Sequence, residues 1–291
     1  MYKPMLGLLS QDFDFFLHDI QGHGDSDHGG IFVGWNRSAE LAYLAWQAHQ
    51  HHYEDCPVFG VGHSFGGVLT AIISRQQPAC FTKVLLLDPV LFPPMYLFSM
   101  QCLTAAGLYH KNPMARKALR RRQHWPDLAS AQQYFYNRGL FEHWHHSALG
   151  AYLNHALTSG TSLSNSESDT TPTAQYKGVM LKCKPAREAE IFASYPAGLW
   201  RILEQAALKQ QKLASSPSCL SSTLPPTAIL YGKDTYGFIG RAVKRWQKFD
   251  ATVEAQQVDG GHCFMQQYPA HTALWVRQFW QHIHLSTVPQ R

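Results

Sequence analysis

A chain of 291 residues with 45% hydrophobic and 15% charged residues holds ample material for a packed core, which excludes global disorder and sets an expectation of about one to two domains. The formal charge of +5 is modest but uneven: no Asp or Glu lies between Pro89 and Pro126, whereas Lys111, Arg116, Lys117, Arg120, Arg121 and Arg122 all do. The basic run is short and carries no nucleic-acid-binding motif, so it reads as a solvated or internally paired helix face, or as an anion-attracting rim beside a substrate entrance.

From the N-terminus, residues 2–10 carry a short apolar pattern that suits a helix. The opening apolar run is short and is interrupted by Asp12 and Asp14, so it does not read as a signal peptide, and no run of about 18 apolar residues follows anywhere. The six cysteines show no C-x-x-C pairing and read as reduced, mostly buried thiols. A soluble cytoplasmic protein without stable membrane insertion is therefore expected. Residues 13–20 read as a strand running into the tight polar loop Gln21-Gly22-His23-Gly24-Asp25-Ser26-Asp27. Ser38 suits the N-cap of a helix reaching Tyr53, with Leu41, Leu44, Ala45 and Ala48 near helical spacing.

The stretch at residues 58–70 organises the rest. An apolar run ends at Gly60-Val61-Gly62, the small polar Ser64 follows, and Gly66-Gly67 open a helical segment. Gly62-His63-Ser64-Phe65-Gly66 fits G-x-S-x-G, a strand, sharp turn and helix in which the glycines permit crowding and the serine hydroxyl is lifted above the sheet edge. The N–H of Phe65, at the start of that helix, would donate to an oxyanion. Together with Asp19-Ile20-Gln21-Gly22-His23-Gly24-Asp25-Ser26, this elbow resembles the α/β-hydrolase superfamily, whose D-x-x-G-H-G-x-S loop follows the fourth strand and whose elbow follows the fifth. The resemblance implies that His23 and His63 shape loops and transfer no protons.

Beyond the elbow helix, residues 83–87 form an aliphatic strand ending at Asp88-Pro89, and the next clear strand begins only at Thr227. Such a span exceeds a plain crossover of about a dozen residues and implies an inserted helical cap over residues 91–213, between core segments 1–90 and 214–291. Helical patches fall at 97–108, 114–123, 128–137, 146–157 and 188–208, with many aromatics that serve as cap core or as an apolar binding wall. Residues 158–175 and 214–226 are polar and read as loops. The histidine clusters at 49–52 and 143–146 have no Asp or Cys partners at metal-ligand spacing, so no metal is expected.

A helix over 236–249 and a strand over 253–258 separate Asp234 from His262, 28 positions later. One helix and one strand would return both side chains to the sheet edge that carries Ser64, in the order Ser, Asp, His. The expected chemistry is covalent: His262 removes the proton of Ser64, Asp234 fixes the imidazole tautomer, and an acyl-enzyme is hydrolysed by water without any cofactor. Asp88, after the preceding strand, is the alternative acid, as in some members of the fold. A serine at the elbow argues against haloalkane dehalogenases and epoxide hydrolases, which use a carboxylate nucleophile.

The sequence departs from the resemblance in one respect. The family places a further strand with an HG-type loop, source of a second oxyanion donor, ahead of the helix that starts here near Tyr2, and no equivalent precedes Asp19. The expectation is that Met1 is internal to a longer enzyme; the alternative is a shortened homologue whose fourth and fifth strands pair directly. The fold expected is an α/β-hydrolase-type, mostly parallel sheet flanked by helices with an inserted helical cap. A serine hydrolase acting on a small-molecule carboxylic ester or related acyl substrate is the expected function, against a non-catalytic protein holding an apolar ligand under the cap.

Overall fold

The computed structural model describes residues 1–53, 56–108, 111–159, 178–214 and 223–281. Most of the two polar loops expected at 158–175 and 214–226 lies outside the described residues, as does Cys219. A parallel sheet of β1 (Phe59–His63), β2 (Lys83–Leu87), β6 (Thr227–Gly232) and β7 (Val253–Val258) runs in that spatial order. Its two central strands carry aliphatic runs at 84–87 and 228–230, where both faces are covered. Val84, Leu86 and Ile229 point into one cluster with α2 (Trp35–His49), α3 (Phe65–Gln76), α9 (Leu199–Ala214) and α10 (Gly237–Gln247). Leu85, Leu87, Ala228 and Leu230 point the other way, onto α1 (Lys3–Leu9) and α12 (Pro269–Gln281). The alternation is the period of two that a strand imposes.

Residues 13–20 form no strand, contrary to the sequence reading, and do not pair with β1. Side chains anchor this extended segment instead: Phe13 meets Phe59 edge-on at 6.2 Å, Phe16 meets Trp46 at 5.6 Å, and Tyr53 Oη donates to the carbonyl of Phe15. An aromatic-rich extended segment reads as a strand locally, but a strand requires a ladder partner. β1 is thus the edge of the described sheet, with Val61 44% exposed. Helix α2 starts three residues before Ser38; Gly34 occupies the N-cap, and Ser38 Oγ bonds back to the Gly34 carbonyl.

The insertion carries α4 (Pro94–Ala105), α5 (Pro113–Leu119), α6 (Leu128–Phe135), α7 (His146–Ala156) and α8 (Pro185–Ala193). It also contains an antiparallel sheet of β3 (His124–Trp125), β5 (Val179–Leu181) and β4 (Leu157–Ser159), which periodicity does not reveal in pieces of two and three residues. Trp125, Phe135, Phe141, Tyr152 and Leu181 build a separate core there. Helix α9, placed by the sequence at the end of the insertion, packs in the main core: Leu199, Trp200 and Leu203 share a cluster with Val68 and Ile72 of α3. Its apolar stripe requires a broad partner face, which α3 supplies.

Candidate active site

Ser64 stands between β1 and α3 with φ 54° and ψ −116°, a backbone that side chains other than glycine rarely adopt. The turn is possible because its neighbours lack side chains. A Cβ on Gly62 would lie 2.3 Å from the carbonyl oxygen of Gly66, and one on Gly67 would lie 2.9 Å from Pro89 Cβ. The amide of Ser64 donates to the carbonyl of Leu87 on the adjacent strand, which fixes the turn to the carboxyl edge of the sheet.

The serine hydroxyl lies 2.9 Å from Nε2 of His262, on the loop after β7. Nδ1 of the same imidazole lies 2.6 Å from Oδ2 of Asp88. The structure therefore brings Ser64 and His262 together as expected but sets Asp88, not Asp234, against the imidazole. Asp88 is fully buried at the end of β2, also with positive φ, and its carboxylate accepts from the amide of Gly232 at 2.8 Å and from the hydroxyl of Thr235. With the imidazole these give the buried carboxylate three hydrogen-bond partners, which offset its lost hydration. The loop after β6 turns these donors inward and leaves the Asp234 side chain exposed, its amide bonded to the carbonyl of Gly260. That approach depends on Gly232, where a Cβ would stand 2.4 Å from the Gly260 carbonyl oxygen. Chain order and the spacing of one helix and one strand to His262 point to an acid at 234. Asp88, directly after a buried aliphatic strand, was legible only as the second choice, and Thr235 and Gly232 carried no signal.

His63 holds the imidazole loop in place. Its Nε2 donates to the backbone carbonyl of His262 at 2.9 Å while its Nδ1 accepts from Tyr2 Oη at 2.6 Å. Burial, with His262 beside it, pushes the His63 pKa down to about 3, so the ring is neutral, as this bonding requires. On the same loop, Gly261 donates to Gln267 Oε1, whose amide group reaches the Glu142 carbonyl in the insertion. An aromatic wall flanks His262: Tyr236 lies 5.1 Å from its ring, Phe238 stacks on Tyr236, and Phe92 and Tyr96 continue the stack.

The loop of residues 19–30 is folded on itself and clasped by the insertion. Asp19 accepts from the Asp25 amide, Ser26 Oγ donates to the Asp19 carbonyl, and Gly24, at φ 53°, has no room for a Cβ beside the Asp19 carboxylate. Arg187 on α8 donates to the carbonyls of His28 and Gly30, and His23 Nε2 meets Cys183 Sγ at 3.4 Å. Burial pushes the Cys183 thiol up to about 12, so a neutral thiol faces a neutral ring. The basic run after Pro89 is divided in use. Arg121 pairs with Glu188 at 2.8 Å and Arg122 covers the rings of Trp125 and Tyr134, whereas Lys111, Arg116, Lys117 and Arg120 are exposed.

Comparison with known proteins agrees with this architecture. The abhydrolase domain-containing protein AKT2 of Alternaria alternata is 31% identical over 104 residues, covering 35% of this chain and 34% of that protein. The monoglyceride lipase of Mus musculus is 29% identical over 89 residues, 28% of each chain. The aligned segments thus span about a third or less of the curated relatives' own length. The crystal structure of E-2-(acetamidomethylene)succinate hydrolase superposes with a TM-score of 0.65 at 15% identity, over 97% of this chain and 86% of that one, a likeness of fold. The family model described as "Alpha/beta hydrolase family" matches residues 1–273, nearly the whole sequence, and the chain belongs to that family.

Proposed function

We propose that this protein is a serine hydrolase that cleaves a carboxylic ester or related acyl substrate. The observation that carries the reading is the continuous hydrogen-bonded series Ser64 Oγ, His262 and Asp88, at 2.9 Å and 2.6 Å. A serine hydroxyl is a weak nucleophile until a base within hydrogen-bond reach takes its proton. His262 Nε2 accepts that proton as Oγ attacks the carbonyl carbon, and Asp88 holds the tautomer and stabilises the imidazolium. The tetrahedral oxyanion is met by the N–H of Phe65 in the first turn of α3, where the helix dipole adds to the donor. Collapse expels the leaving alcohol or thiol with the proton from His262, and water activated by the same ring releases the acid. This chemistry uses no cofactor. The aromatic wall of Tyr236, Phe238, Phe92 and Tyr96 beside the imidazole supports an apolar acyl group.

The test is labelling of the purified chain with a fluorophosphonate probe, with Ser64→Ala as control. Labelling that vanishes in the variant is the expected result. A folded chain that takes no label has no activated serine, and the role of binding an apolar ligand without turnover would replace the proposal.

A further inference from the structure

Helix α4 exposes large apolar side chains as well as burying them. Leu97 and Met100 enter the core, yet the opposite side presents Met95, 80% exposed, Phe98, 63% exposed, and the exposed Cys102. These three follow one another at intervals of three and four, so they form one outward stripe. In twelve residues the helix contains no charged side chain. Surface helices of a monomer normally turn polar groups outward, and a continuous apolar stripe marks a contact with something apolar.

The next helix along the chain points to the occupant. Asn112 joins α4 to α5: its amide nitrogen lies 3.4 Å from Met100 Sδ, and its Oδ1 caps α5 through the amides of Met114 and Ala115. Helix α5 turns Ala115 and Ala118 inward and leaves Met114, Arg116, Lys117 and Leu119 exposed, with Lys111 and Arg120 at its two ends. Lys111, Arg116, Lys117 and Arg120 have no ion-pair partner among the described residues. A helix with an exposed apolar stripe, followed along the chain by one that exposes Met114 and Leu119 among cations without an ion-pair partner, in a stretch of sequence without a single carboxylate, is complementary to a surface that is apolar within and anionic at its face. A protein groove would supply the apolar part; the four exposed cations on and beside α5 argue for phospholipid headgroups.

Through Tyr96, helix α4 also joins the aromatic wall that leads to His262. Tyr96 of α4 stacks on Phe92 at 4.8 Å, Phe92 stacks on Phe238 at 5.6 Å, Phe238 on Tyr236 at 5.7 Å, and Tyr236 lies 5.1 Å from the His262 ring. We infer that α4 and α5 form an interfacial docking site for an anionic lipid surface, and, resting on the hydrolase reading above, that the substrate is an amphiphilic acyl ester drawn from that surface along the aromatic wall. No helix among the described residues is long and apolar enough to cross a membrane, so the contact would be peripheral.

The test is co-sedimentation of the full chain with vesicles of phosphatidylcholine alone and of phosphatidylcholine with phosphatidylglycerol, at low and high salt. Binding to the anionic vesicles that weakens with salt is expected, with a loss on the order of tenfold or more in Arg116→Glu/Lys117→Glu. A loss of similar size is expected in Met95→Ser/Phe98→Ser. Turnover of a short water-soluble acetate ester should be unchanged in both variants, which shows that they fold, while turnover of a long-chain ester embedded in anionic vesicles falls. No binding to anionic vesicles, or binding that both variants retain, overturns the inference. So does a concentration-dependent dimer abolished by Met95→Ser/Phe98→Ser, which would assign the stripe to a second copy of the chain. Vesicle binding does not depend on Ser64, so failure of the hydrolase reading would show as absent fluorophosphonate labelling with docking intact.

Discussion

Oδ2 of Asp88 lies 2.6 Å from Nδ1 of His262 across a sequence separation of 174 residues. Asp234, only 28 positions before His262, points into solvent. If the Asp88 contact sets the imidazole tautomer, Asp88→Asn should lower kcat by about 10³–10⁴ while the protein stays folded. Asp234→Asn should change it by no more than a few-fold. Steady-state hydrolysis of a chromogenic short-chain ester compares the two, and the reverse ranking would return the acid's role to Asp234.

The backbone of Ser64, at φ 54° and ψ −116°, is held against its preference. Such strain costs on the order of 1–3 kcal/mol for a residue with a Cβ and little for glycine. Ser64→Gly should therefore be more stable than Ser64→Ala by roughly 1 kcal/mol, both being inactive and unlabelled. Urea unfolding of the two variants measures the difference. Equal midpoints would mean that the turn is unstrained.

His63 gives stability a defined pH dependence. Its pKa is about 3 in the folded protein, against an ordinary value of 6.5. Between these values the unfolded chain binds the extra proton, so the contribution of this group is fully present above pH 6.5 and is lost as pH falls toward 3. Wild type should thus lose thermal stability faster than His63→Gln over that range. Parallel melting-temperature profiles from pH 7 downward would contradict a buried neutral ring.

Arg75 and Asp250 form a buried pair at 3.0 Å, with Thr227 Oγ1 and Trp246 Nε1 completing the cluster at the ends of the strands remote from Ser64. Arg75→Met would leave the carboxylate buried without its counter-charge, at a cost of about 3–5 kcal/mol. The expected outcome is a much lower unfolding midpoint with fluorophosphonate labelling retained in the folded fraction. Loss of labelling at unchanged stability would indicate coupling to the site that the packing does not suggest.

The sequence by itself determined the features that depend on neighbours along the chain. G-x-S-x-G requires glycine where backbone closes on backbone, as the 2.3 Å approach at Gly62 confirms. The aliphatic run at β2, the helix of α10 and the strand of β7 followed from local periodicity. His262 was identifiable because one helix and one strand must return the chain to the same sheet edge. What only the tertiary structure decided were pairings between distant segments. Residues 13–20 have strand composition but pair with no strand among the described residues, and α9 chose α3 over the insertion because that is where an apolar face was open. The choice between Asp88 and Asp234 turned on which way the loop after β6 faces. That direction is set by the contact of Gly232 with the loop after β7 and by the donors it turns toward Asp88, interactions between residues far apart in sequence.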